Sequence, residues 1–177
     1  MQHKSFAHMA CPIARSLEQV GEWWSILILR DAFAGKTRFD QFLQSLGIAP
    51  NMLTRRLTSL VEAGMLERRQ YSVRPPRDEY VLTERGRDFR TVLVALLAFG
   101  HRHFAVEGGA RIVDSRTGAT VEPMLVDQRT GEPVIEPRYA IVRGKASSAA
   151  NTARSKGGAG LLAAATPSGR AAKAARL

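Results

Sequence analysis

Three features of the sequence predict a mainly α fold with a small β-wing. Two amphipathic helical stretches are separated by a glycine within residues 38–63, an arginine- and proline-rich extended stretch follows at once, and denser apolar helices bracket the whole. That order describes a winged helix-turn-helix, dimerised through its N- and C-terminal helices. The unit is expected over residues 8–104, with a small β-hairpin appendage over 105–144 and a disordered basic tail over 145–177.

The first helix opens at Cys11-Pro12-Ile13. Proline is pre-set for a first helical turn, and Ile13, Leu17 and Val20 run along one face. Cys11 then stands at a helix N-terminus, where the positive end of the dipole makes a thiolate more available; the competing role is a small buried hydrophobe. Gly21 separates this helix from WWSILILRDAF, whose dense apolar run suits a core helix. Trp23 and Trp24 are candidates for lining an aromatic effector pocket, although adjacent aromatics beside ILIL favour core and dimer packing.

Gly35-Lys36-Thr37 ends the core helix and leads into the next. Phe39, Phe42, Leu43 and Leu46 fall at i, i+3, i+4 and i+7, one face of a helix that Gly47 stops and Pro50 restarts. From Pro50 to Ala63, Leu53, Leu57, Leu60 and Val61 form an inward stripe. At about 100° per residue, Arg55 lies almost opposite that stripe, with Asn51, Thr58 and Ser59 beside it and Thr54 and Arg56 towards the flanks. An arginine can grip guanine O6 and N7, an asparagine can pair with adenine, and a threonine reaches a base edge or a phosphate. This stretch is therefore the predicted recognition helix for double-stranded DNA.

After Gly64 the pattern becomes extended: MLERRQY, SVRPPR and DEYVL read as two short strands about a turn. Pro75-Pro76 is expected to stiffen an exposed tip surrounded by Arg68, Arg69, Arg74 and Arg77, a basic hairpin suited to the phosphate backbone. The hairpin carries weight, because a helix pair with a basic face also occurs in domains that never meet DNA. Thr83, followed by Glu84 and Arg85, is the expected N-cap of one long helix bearing Phe89, Val92, Leu93, Leu96, Leu97, Gly100 and Phe104. A monomer of this size has little with which to cover its apolar surface, which points to a second copy packed through this helix and the first.

Residues 106–144 contain a near repeat, VDSRTGATVEP from Val113 and VDQRTGEPVIEP from Val126, with a period of 13. Each unit reads as a β-hairpin about an Arg-Thr-Gly turn. Such paired turns resemble zinc-ribbon knuckles, but no cysteine is present to bind zinc, and a structural role is favoured over an effector site. From Lys145 the chain is rich in Ala, Gly, Ser and basic residues and holds no aromatic, so it cannot offset its own chain entropy. It is either a nucleic-acid-binding arm or a solubilising extension.

CPIARSLEQVGEWWSILILRDAFAGKTRFDQF, IAPNMLTRRLTSLVEAGMLERR and PPRDEYVLTERGR, in this order over roughly residues 8–104, resemble the HxlR-type regulators, relatives of the MarR winged-helix proteins. The resemblance implies a bacterial, homodimeric transcription regulator in which Lys36, Thr37 and Arg38 lie where phosphate is touched. It also makes Cys11 a candidate redox sensor, since some members sense oxidants or electrophiles with a cysteine near this position. Two residues depart from the pattern. Ala49 stands where a capping serine is common, at a cost of roughly 1 kcal/mol, and Trp23 stands where a lysine is common.

Composition narrows the partners. The formal net charge of +10, with a pI near 10.8, favours a polyanion, nucleic acid before membrane. No stretch approaches the roughly 20 apolar residues of a membrane span and the start lacks an apolar signal core, so a cytoplasmic protein is expected. A single cysteine excludes an internal disulfide, and His3, His8, His101 and His103 are too scattered for a zinc set. No nucleophile elbow, phosphate-cradling glycine loop or metal-ligand spacing is present, so neither an enzyme nor a cofactor is expected. The proposed DNA contacts are Lys36, Thr37, Arg38, Asn51, Thr54, Arg55, Arg56, Thr58, Arg74 and Arg77. The alternative is a winged-helix protein-interaction module whose basic tail contacts RNA.

Overall fold

The structure, a computed structural model, describes residues 5–6, 9–104 and 109–142. The predicted basic tail and the link at 105–108 lie outside the described residues. Among these, α1 (Pro12–Val20), α2 (Trp23–Phe33), α3 (Phe39–Leu46) and α4 (Pro50–Glu62) precede a wing of β1 (Leu66–Val73) and β2 (Pro76–Leu82). Two further helices follow, α5 (Glu84–Asp88) and α6 (Arg90–His103).

The core forms where the apolar stripes converge. Ile28 and Leu29 of α2, Phe42 of α3, Leu53, Leu57 and Leu60 of α4 and Leu66 of β1 are fully buried. Burial of each such side chain contributes about 1.5–3 kcal/mol before chain entropy is counted. Val61, the fourth member of the α4 stripe, is half-buried against the same cluster. Gly47 adopts the left-handed conformation at φ 59°, where a side chain would be strained, and its N–H donates to the Leu43 carbonyl at 3.0 Å. Ala49 is the N-cap of α4 and offers no side-chain acceptor. Asn51 Oδ1 instead accepts from the Met52 N–H at 2.8 Å, which recovers one orphan donor of the first turn.

The wing is longer than the sequence suggested. β1 and β2 pair antiparallel from Leu66↔Leu82 to Val73↔Pro76, with an irregularity between Gln70 and Ser72. The turn holds Arg74 and Pro75 alone, whereas both prolines were expected at the tip. Pro76 is the first residue of its strand, a position that tolerates a missing N–H.

The long last helix is interrupted at Phe89. Thr83 caps α5 as expected, its Oγ1 accepting from the Gly86 N–H at 3.0 Å while donating to the Gly64 carbonyl at 2.6 Å. Gly86 lies so close to the α4–β1 turn that a Cβ there would fall 2.1 Å from the Met65 carbonyl oxygen. The first turn is thus held on that loop, and α6 begins after Phe89, whose N–H donates to the Gly86 carbonyl at 3.2 Å. α6 has no fully buried residue.

The two predicted hairpins are short, tight turns. Each has a single bridge, Val113↔Thr120 and Val126↔Pro133. In each, an aspartate organises the turn: Asp114 Oδ1 and Asp127 Oδ1 accept from the N–H of Arg116 and Arg129 at 2.8 and 2.9 Å. Gly118 and Gly131 close them with φ 72° and 71°. The Arg116 N–H, and then its guanidinium, hold the Asp114 carboxyl below the usual carboxylate range.

Candidate nucleic-acid interface

α4 buries its leucines on one side and turns a polar surface outward. Asn51, Thr54, Arg55 and Thr58 are all exposed. Thr54 and Thr58 donate their hydroxyl hydrogens to the carbonyls of Pro50 and Thr54, each at 3.0 Å, which leaves oxygen lone pairs facing outward. Ser59 donates likewise to Arg55 and is half-buried. Arg55 touches only the Met52 sulfur, Nη2 to Sδ 3.4 Å, and meets no carboxylate among the described residues.

Arg56 is placed elsewhere. Its side chain is only 16% exposed and its Nη2 lies 3.0 Å from Glu22 Oε2 at the start of α2, with Nε buried. One helical step of about 100° from Arg55 carries it off the outward face and over the α2 terminus. Arg56, expected among the DNA-facing residues, is thus held by Glu22 and ties α4 to α2.

Lys36, Thr37 and Arg38 form the root of the wing. The Thr37 carbonyl accepts from the Tyr80 N–H at 2.7 Å, Arg38 bridges Glu79 in the antiparallel sense, and the Arg38 guanidinium lies 4.6 Å over the Tyr71 ring. The entry to α3 is fastened by Gln41, whose Oε1 accepts from the N–H groups of Thr37 and Arg38, both at 3.0 Å. Sequence reasoning passed over Gln41, although a glutamine at the third helical position is the signal of a capping box. It also passed over Asp31, buried beneath the site. Asp31 Oδ1 accepts from Arg30 Nε and Nη2 at 3.0 and 2.8 Å, and its Oδ2 lies 3.9 Å from Lys36 Nζ.

The four wing arginines divide into two pairs. Arg68 Nε donates to Asp78 Oδ2 at 2.9 Å, and Arg69 binds Glu67 through two bonds of 3.0 Å, which hold the Glu67 carboxyl below its usual range. Arg74 and Arg77, at the tip, are exposed and have no ion-pair partner among the described residues.

The other predicted site residues are not gathered together. Trp23 is 73% exposed while Trp24 packs against the core, so the two adjacent indoles meet different surroundings. Cys11 is the N-cap of α1, half-buried and a free thiol. An apolar groove of about 780 Å³ runs between α1 and α6, walled by Ile13, Leu17, Val20, Phe89, Val92 and Leu96. Among the described residues no helix is long and apolar enough to cross a membrane.

A helix pair with a buried leucine stripe, a polar outward helix and a basic hairpin beside it defines a winged helix-turn-helix of the transcription-regulator class. Residues 19–107, about half of the chain, match the family model described as HxlR-like helix-turn-helix, and the chain belongs to that family. It is similar to an uncharacterized HTH-type transcriptional regulator of Mycobacterium tuberculosis, 40% identical over 124 residues, covering 69% of this chain and 78% of that protein. A second such regulator, from Synechocystis, is 42% identical over 91 residues, covering 51% of this chain and 67% of the other. Among solved structures, the putative transcription factor PA1607 superposes with a TM-score of 0.70 at 35% identity, covering 80% of this chain and all of that one. The putative transcription factor PA1374 from Pseudomonas aeruginosa is 53% identical with a TM-score of 0.56, covering 78% of this chain and 96% of its own. The redox regulator HypR in its reduced form gives a TM-score of 0.50 at 30% identity, covering 53% of this chain and 96% of its own.

Proposed function

We propose that this HTH-type transcriptional regulator binds double-stranded DNA as a homodimer, with α4 in the major groove and the wing tip on the backbone. The observation that carries this reading is the division of α4. Leu53, Leu57 and Leu60 are fully buried, while Asn51, Thr54, Arg55 and Thr58 stand exposed, Arg55 with no carboxylate partner among the described residues. Donors and acceptors of that kind read base edges, and Arg74 and Arg77 supply the sequence-independent grip.

The dimer reading rests on the uncovered apolar surface of α1 and α6, where Ile13 is 62%, Leu17 50%, Leu96 46% and Phe99 56% exposed. Two copies joined there would set their α4 helices about 34 Å apart, the spacing of successive major grooves. Cys11 at the head of α1 borders that surface, and the redox regulator HypR among the neighbours supports oxidation there as the switch. A lone thiol would react to a sulfenic acid, a mixed disulfide or a bond to the second copy.

Fragments bound from the organism's own genomic DNA, selected and then measured by fluorescence anisotropy, test the proposal. A shared palindromic site bound at least a hundredfold more tightly than random duplex is the expected outcome, on the order of magnitude that specific recognition requires. Equal affinity for every duplex would defeat it.

A further inference from the structure

The outward side of α3 carries a polar cleft of about 260 Å³ lined by Lys36, Gln41, Gln44 and Ser45. Its chemistry follows from the way Gln41 is held. Two backbone N–H groups, of Thr37 and Arg38, donate to Gln41 Oε1 at 3.0 Å each, so the oxygen is the atom that faces the backbone and the amide cannot be turned round. Its Nε2 and both N–H hydrogens are left on the opposite side, with no acceptor among the described residues. Gln44 and Ser45, three and four residues on, share that side of the helix and are exposed, without a hydrogen-bond partner among the described residues. Lys36 adds a charge whose nearest carboxylate oxygen, on buried Asp31, is 3.9 Å away.

All four lining side chains therefore offer N–H or O–H donors, and none is acidic. Such a wall suits a tetrahedral oxyanion. We infer that the cleft seats one backbone phosphate of the DNA, held by Gln41, Gln44, Ser45 and Lys36. This inference rests on the double-stranded DNA reading above, in which α3 crosses the backbone while α4 enters the groove.

Gln41→Glu separates the two jobs of this residue. Glutamate at the third helical position still accepts from the two backbone N–H groups, so the fold is kept, but the outward amide donors are replaced by a carboxylate oxygen. The expected result is an unchanged thermal midpoint and an affinity for a random-sequence duplex of about 30 base pairs that falls about tenfold or more, the effect of one lost charge-assisted bond. Parent-like duplex affinity in Gln41→Glu overturns the seat. So does a parent midpoint raised by inorganic phosphate while both proteins bind duplex alike, which makes the cleft a free-anion site. Should Gln41→Glu fold poorly, the Gln44→Ala/Ser45→Ala double variant decides by the same fall in affinity at unchanged midpoint. A parent protein that binds no duplex at all would instead defeat the DNA reading itself.

Discussion

Adjacent arginines on α4 should fail in opposite ways. Arg55 is exposed and among the described residues its guanidinium meets only the Met52 sulfur, so Arg55→Ala leaves folding stability within about 0.5 kcal/mol of the parent, as surface changes do. Its loss falls on binding: a bidentate arginine–guanine pair discriminates by about 1–3 kcal/mol, and a dimer that loses both pays about twice that. Arg56 is 16% exposed and Glu22 28%, with 3.0 Å between them. Breaking a fully buried pair costs about 3–5 kcal/mol; residual solvent at Glu22 screens this one, so Arg56→Ala is expected to lose roughly 1–3 kcal/mol of stability. Urea unfolding and anisotropy on the selected operator and on random duplex measure the two quantities side by side. An unchanged urea midpoint with a large loss of DNA affinity in Arg56→Ala would refute this division and return Arg56 to the interface. An equal loss for operator and random duplex in Arg55→Ala would remove it as a base reader.

Arg74→Ala and Arg77→Ala should each weaken operator and random duplex alike and flatten the logarithmic salt dependence by about one, whereas Arg68→Ala should leave that slope in place; a slope that moves with Arg68 contradicts the ion-pair assignment. Leu17→Glu puts a charge on the 50% exposed α1 face and should yield a folded monomer in sedimentation where the parent is a dimer; a monomeric parent at about micromolar concentration would end the dimer reading. Mild diamide treatment should change the DNA affinity of the parent and leave Cys11→Ser unaffected, and identical behaviour of the two proteins would leave Cys11 as packing.

Most of the fold was legible because it is written in short-range periodicity. WWSILILRDAF is α2 residue for residue, and the Gly47–Pro50 break and the Thr83 cap fall where local stereochemistry requires them. What escaped depends on contacts between distant residues. The direction of Arg56 is decided by Glu22, 34 positions earlier. The interruption at Phe89 is decided by the Met65 carbonyl beneath Gly86, and no helical pattern in residues 83–104 records it. The turns at 113–120 and 126–133 were legible from their Arg-Thr-Gly repeats, but that each is held by a single bridge was not written in that pattern.

The same distinction explains why a count of arginines overstates the charge available to DNA. The sequence places Arg68, Arg69, Arg74 and Arg77 around one tip, yet the antiparallel register sets Arg68 two positions along β1 from the partner of Asp78, within reach of its carboxylate, and Glu67 holds Arg69. A phosphate approaching either of those must displace a carboxylate that already neutralises the guanidinium, so little counterion is released and little affinity gained. Arg74 and Arg77 meet no such competitor among the described residues. Arg38 differs again, since it stacks on Tyr71 while its backbone pairs with Glu79, which restrains the guanidinium without discharging it. On the proposed DNA reading the paired arginines would stiffen the wing, those at its tip would grip the backbone, and Arg38 at its root would hold a full charge in place beside α3.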